Sequence, residues 1–137
     1  MVRHRILIVD DDKWLTQRLS YVLHGAGCLV FVAHDAESAT RVALRERPDV
    51  ILLEVELPRY SGLEFHECLQ YADRGRDIPV IYVTGNDSPV LRRAANQLGA
   101  KGFLKKPIDG QALLAFLRRV LSTRSEATEQ VATRCQD

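Results

Sequence analysis

Three consecutive aspartates, Asp10-Asp11-Asp12, follow a short apolar run, and two more acids, Glu54 and Glu56, follow another. A hydroxyl, Thr84, and a lysine pair, Lys105-Lys106, close two further runs. Carboxylates set opposite a hydroxyl and an ammonium are the donors of an oxygen-ligand metal site that handles a phosphoryl group. A small hard cation such as Mg²⁺ takes one or two carboxylates and completes its shell with water and phosphate oxygens. It neutralises the transferring phosphoryl, while lysine and hydroxyl donate to it. Each residue also has a plain structural reading. Aspartates ahead of a helix can be caps that interact with its dipole, a threonine can be an ordinary strand residue, and paired lysines can be a solvated edge. Found together at the ends of four strands, they point to one clustered site.

The elements that must position these groups follow from the hydrophobic pattern. Arg5–Val9 is a continuous run, as expected of a strand buried on both faces of a parallel sheet. From Asp12 to about His24, Leu15, Leu19, Val22 and Leu23 recur at helical spacing until Gly25 and Gly27 end the helix. Cys28–Ala33 is a second strand. Asp35 caps a helix to about Arg47 with Ala39, Val42 and Ala43 inward, and Pro48 ends it. Val50–Leu53 is the third strand. Ser61 and Glu64 form a capping box that opens the next helix. Val80–Thr84 is the fourth strand, and Ser88-Pro89 opens a helix with Val90, Leu91, Ala94, Ala95 and Leu98 as its apolar stripe. Gly99 ends it, Gly102–Lys105 is the fifth strand, and Asp109 caps a last helix with Leu113, Phe116, Leu117, Val120 and Leu121 inward. Five strands alternating with five helices predict an α/β fold, a doubly wound parallel sheet with right-handed crossovers. Sites in such sheets form at the carboxyl ends of the strands, where strand order reverses. Residues 1–121 make one domain. Residues 122–137 lack apolar periodicity and are expected to be a frayed or disordered polar tail.

Composition narrows the function classes. The chain has 137 residues, with 19 Lys+Arg against 18 Asp+Glu, a net charge of +1. That balance argues against a nucleic-acid binder working through bulk charge. No uncharged apolar run approaches the ~20 residues of a membrane span, and no signal peptide is readable. Cys28, Cys68 and Cys135 fit neither a disulfide framework nor zinc-ligand spacing, and are expected to be reduced structural thiols in a cytoplasmic protein.

In their order and spacing, Ile6–Asp11 (ILIVDD), Pro48–Gly62 (PDVILLEVELPRYSG), Val83-Thr84-Gly85 and Gly99–Asp109 (GAKGFLKKPID) resemble the receiver domain of two-component response regulators. The resemblance runs from about Arg5 to Leu121. It implies a flavodoxin-like sheet of order 2-1-3-4-5 and a phosphorelay signalling module rather than an enzyme. It implies that Asp11 ligates Mg²⁺ or Mn²⁺ directly, that Asp10 acts through water, and that the backbone carbonyl of Glu56 completes a weak site. Thr84 then matches the switch hydroxyl, Lys106 the phosphoryl-contacting lysine and Phe103 the aromatic switch position. Pro58 and Gly62 match the turn after the third strand, and the Lys106–Pro107 bond is expected to be cis. A sensor histidine kinase or phosphotransfer protein upstream, and an effector protein or separate output domain downstream, are the implied partners. Direct nucleic-acid or membrane binding is not implied.

One position departs from the family. Its phosphoacceptor is an aspartate at the end of the third strand, where this chain has Glu54. The extra methylene displaces the attacking oxygen by about one C–C bond, roughly 1.5 Å, and a misplacement on the order of 1 Å can cost about a hundredfold in rate. A longer acid can instead reach toward Lys106 and Thr84 and imitate the phosphorylated side chain. The switch is then either dead or permanently set, and Glu54 joins Asp10 and Asp11 in the expected metal set. The rival from the enzyme class is a haloacid-dehalogenase-like phosphatase, for which Asp10-x-Asp12 would be the nucleophile motif; the chain has no spare length for the cap domain usual there. An FMN carrier is disfavoured, since three aspartates repel a phosphate in the first loop.

Overall fold

The computed structural model describes residues 3–122. Its strands are β1 (Arg5–Val9), β2 (Leu29–Ala33), β3 (Val50–Leu53), β4 (Val80–Thr84) and β5 (Gly102–Lys105), all parallel, in the order β2-β1-β3-β4-β5. The helices between them are α1 (Lys13–Gly25), α2 (Ala36–Glu46), α3 (Gly62–Tyr71) and α4 (Pro89–Gln97). These elements form one compact unit that ends at Pro107; a second unit begins at Ile108, and its described part carries a helix, α5, over residues 110–122.

The order places the site. α1 leads from β1 outward to β2, whereas α2, α3 and α4 lead the opposite way, from β2 to β3 to β4 to β5. Right-handed crossovers put two such sets on opposite faces of the sheet. The direction of winding reverses between β1 and β3, and there the loops after the strands part to leave a crevice. On the α2–α4 face, Leu7, Val9, Ile51, Leu53, Val80 and Tyr82 pack with Ala36, Ala39, Ala43, Phe65, Leu69, Leu91 and Ala95. Ile6, Ile8, Leu52 and Ile81, their neighbours in the alternation, are also buried and point the other way.

Helix ends carry the expected caps. The side chains of Asp12, Asp35, Ser61 and Ser88 each accept a backbone N–H in the first turn of α1, α2, α3 and α4. Asp109 accepts from Gln111 N–H at 3.2 Å, and Leu113, Leu117 and Leu121 are the buried row of α5, with Phe116 and Val120 half-buried. At the end of α1, Gly27 takes φ +89° while its N–H reaches His24 O and Cys28 N–H reaches Leu23 O. This Schellman closure uses Cys28, so β2 begins one residue later than its apolar run predicts. α2 stops at Glu46, because Pro48 disfavours helical backbone at Arg47, which turns left-handed at φ 47°. Two expectations fail. Val90 is 74% exposed, because the buried stripe of α4 is set by Leu91 and Ala95. Cys68 is exposed on α3 rather than a structural thiol, and Cys28 is half-buried. Cys135 and the expected tail beyond residue 122 lie outside the described residues.

One buried polar pair ties α3 to β4. His66 Nδ1 lies 2.7 Å from the Tyr82 hydroxyl, and both rings are almost fully buried. Burial lowers the His66 pKa to about 4 and pushes the Tyr82 phenol up. The ordinary histidine value lies above this folded value, so His66 contributes stability that is complete above pH ~6.5 and is lost as pH falls toward ~4. At 1.36 kcal/mol per unit this is at most about 3 kcal/mol. His66→Asn keeps an amide for Tyr82 but gains no proton on acidification. Urea unfolding at roughly pH 7 and roughly pH 4.5 is therefore expected to show a smaller acid loss in the variant than in the wild type. Equal losses would refute the assignment to His66.

Candidate functional site

Asp10 is the first residue beyond β1, and its N–H makes the last rung toward β2, donating to Ala33 O at 3.0 Å. Glu54 is the first beyond β3, and its N–H donates to Val9 O at 2.9 Å. Thr84 ends β4. The backbone N–H of Lys106, just past β5, donates to the Thr84 carbonyl at 2.9 Å. Four strand ends thus bring these side chains to the carboxyl edge. Asp10, Glu54 and Thr84 are buried, at 3%, 8% and 0% exposure.

Lys106 Nζ donates to Asp10 Oδ2 at 2.8 Å and to Glu54 Oε1 at 2.9 Å. The other oxygens are also engaged: Asp10 Oδ1 accepts the Asp12 N–H at 2.9 Å, and Glu54 Oε2 accepts the N–H of Val55 at 2.7 Å. Burial pushes the Asp10 carboxyl above its ordinary value. The hydrogen bonds from Lys106 and Asp12 and the Lys106 charge oppose that shift, while the Glu54 charge adds to it. For Lys106, burial works downward, and the hydrogen bonds and charges of Asp10 and Glu54 outweigh it, leaving the ammonium raised. An ion pair acting alone would move the two groups apart. Asp10 goes up because the removal of its carboxylate from water exceeds what one shared ammonium returns.

The acidic run divides its labour. Asp10 enters the site, Asp11 is exposed, and Asp12 caps α1 through Leu15 N–H at 3.1 Å. Glu56 is exposed. Among the described residues no three His, Cys, Asp or Glu side chains converge on a possible metal position. Two carboxylates converge on an ammonium instead, since a buried acid pair needs a positive charge between its members. The donors offered are all carboxylate oxygens, which suits a hard cation.

The Thr84 hydroxyl accepts Asn86 N–H at 3.3 Å, and no hydrogen bond joins it to Glu54 or Lys106. Phe103 is half-buried on β5, its ring 6.0 Å from that of Tyr82 at an interplanar angle of 24°. The Arg92 guanidinium lies over the same ring at 4.8 Å and also pairs with Asp87. Lys105 is exposed, and the Lys106–Pro107 bond is cis.

The sequence places Gly62 in the turn after the third strand but not its close approach to Glu54, and it does not single out His34. Gly62, the first residue of α3, lies so close to β3 that a Cβ there would stand 2.2 Å from the Glu54 carbonyl oxygen. The His34 ring places Nδ1 2.9 Å from the Asp10 carbonyl oxygen. Its signal was available, since His34 follows β2 directly and β2 neighbours β1 at the same carboxyl edge.

Comparison with known proteins agrees with this geometry. The model of the response regulator receiver domain matches residues 6–118. The response regulator MprA of Mycobacterium bovis is 37% identical over 135 residues, covering 97% of this chain and 58% of the relative. The chain thus spans a little over half the length of that relative. Among solved structures, the chemotaxis response regulator CheY4 of Vibrio cholerae has a TM-score of 0.81 at 32% identity, covering 87% of this chain and 99% of that one. A CheY-like receiver domain protein from Methanospirillum hungatei has a TM-score of 0.86 at 26% identity, with 92% and 99% covered. The sheet order, the acid and lysine at the point of reversal and a match over nearly all the described residues favour no phosphatase: the chain belongs to the receiver-domain family of response regulators in two-component signalling.

Proposed function

We propose that this receiver is set by Glu54 itself, which occupies Lys106 as a phosphorylated acceptor would, so that the module signals without a stable phosphoryl group. The observation that carries the reading is the contact of Glu54 Oε1 with Lys106 Nζ at 2.9 Å, shared with Asp10. The imitation is partial, because one carboxylate offers two oxygens and about one charge, less than a phosphoryl group. In this reading Thr84 and Phe103 respond to what Lys106 holds. Residues 1–121 are the signalling domain, and the module is not an enzyme. Its partners are a histidine kinase or phosphotransfer protein and an effector or output domain, in the cytoplasm. Treating the wild-type chain with a small-molecule phosphodonor and Mg²⁺ is expected to leave its intact mass unchanged; a stable phosphate adduct would overturn the reading.

Asp10 and Asp11 would hold Mg²⁺ or Mn²⁺, with Glu54 and the Glu56 backbone carbonyl as further oxygens. When bound, the cation would supply positive charge against the phosphoryl oxygens. Affinity is expected to be weak, since Asp10 and Glu54 must first give up part of their hold on Lys106. Trp14 lies 84% exposed in the first turn of α1, two residues past Asp12, and serves as reporter. Millimolar Mg²⁺ is expected to perturb Trp14 fluorescence and the amide signals of residues 10–12 and 54–56. No response in either would mean that Lys106 alone balances the acids.

A further inference from the structure

The peptide unit between Asp10 and Asp11 is where the two acids acquire their relative placement, and its only carbonyl partner among the described residues is a side chain. β2 ends at Ala33, whose carbonyl takes the Asp10 N–H. The ladder offers nothing to the Asp10 carbonyl beyond that rung. The His34 ring fills the gap, with Nδ1 at 2.9 Å. A carbonyl oxygen can only accept, so Nδ1 carries the proton and donates. Ala33 and His34 therefore hold both polar atoms of Asp10's main chain. Because the peptide is planar, fixing the Asp10 oxygen also fixes the direction of the Asp11 N–H and the path on which Asp11 leaves. The Asp12 N–H bond to Asp10 Oδ1 at 2.9 Å completes the loop from the other side.

We infer that His34 is a positioning residue for the acidic pair, its Nδ1–H setting the Asp10–Asp11 peptide so that Asp10 meets Lys106 and Asp11 stands beside it. For its metal consequence the inference rests on the reading that these acids take a divalent cation; the loop geometry does not need that reading. A ring stacked there merely to fill space would have no preference between its two nitrogens and could be replaced by any residue of similar size. A donor role demands the Nδ1–H form, and it can be met by an asparagine, whose amide nitrogen occupies nearly the place of Nδ1.

The test uses the full chain and the variants His34→Leu and His34→Asn. At mildly alkaline pH a long-range ¹H–¹⁵N spectrum of the wild type is expected to show neutral His34 protonated on Nδ1. In His34→Leu, amide exchange at Asp11 and Asp12 is expected to quicken and Mg²⁺ to bind about tenfold more weakly, the scale usual for partners that orient metal ligands. In His34→Asn both are expected to return to within about twofold of the wild type. Unfolding by urea separates this pattern from general loosening, which would shift both variants alike. His34 protonated on Nε2, an unchanged His34→Leu, or an asparagine as damaging as leucine would each overturn the inference. Absence of any Mg²⁺ response in all three proteins, with the exchange pattern as expected, would overturn the metal reading and uphold the positioning role.

Discussion

Glu54→Asp is expected to turn a chain that takes up no stable phosphate into one that does, with an acceleration of about a hundredfold or more over the wild type. The parts of the transfer other than the acceptor already stand at one edge. Lys106 Nζ reaches both acids at 2.8 and 2.9 Å, Asp10 is buried beside it, and Thr84 is tied to Lys106 through the backbone. In the wild type, Glu54 spends one oxygen on Lys106 and the other on the N–H of Val55. Neither oxygen is then aimed outward for in-line attack. Removing one methylene withdraws the carboxylate by roughly 1.5 Å and opens room in front of it for the donor's phosphorus. Intact-mass spectrometry after treatment with a small phosphodonor and Mg²⁺ reads the result directly. Equal modification of the two proteins would sink the misplaced-acceptor argument. An unmodified Glu54→Asp protein would show that more than the acceptor has changed in this receiver.

Gly62→Ala is expected to destabilise the fold by about 3 kcal/mol, at the upper end of what overpacking usually costs. The added Cβ would meet the Glu54 carbonyl oxygen at 2.2 Å, the Glu54 carbonyl carbon at 3.0 Å and Leu53 Cγ at 3.1 Å. Two of these are main-chain atoms at the end of β3, a central strand whose four residues are all buried, so no rotamer change relieves the clash. Retreat of α3 would instead strain the Gly62 N–H bond to Val55 O, now 2.8 Å. The same displacement moves the peptide that carries Glu54. Urea denaturation is expected to show a lowered midpoint, and the Glu54→Asp background should lose phosphorylation rate on addition of Gly62→Ala. A loss of stability below about 0.5 kcal/mol, the range of ordinary surface changes, would refute the close approach.

Much of the architecture is a matter of local chemistry, and local chemistry is written along the chain. The apolar runs at Arg5–Val9, Val50–Leu53 and Val80–Thr84 are strands because such runs need cover on both faces. Asp12, Asp35, Ser61 and Ser88 cap helices because a short oxygen side chain satisfies an amide two or three residues on. Strand ends then nominate Asp10, Glu54, Thr84 and Lys106, since alternating strands and helices bring those ends to one edge. Periodicity misjudged Val90 because an apolar residue beside the stripe of a short helix shares its spacing without sharing its burial.

By itself, then, the sequence determined the strands, the helix caps, the sheet edge and the residue types gathered there, with the displaced acid at Glu54. Tertiary structure decided which of those residues meet. Lys106 finds Asp10 across 96 positions and Glu54 across 52, so that one ammonium is shared by two carboxylates. It also decided that His34 serves the Asp10 carbonyl and that only a glycine fits at position 62. The physical reason is one of range. Propensity and capping act within a helical turn, whereas the partner of a buried charge or an unpaired carbonyl is whatever the packed chain brings within about 3 Å.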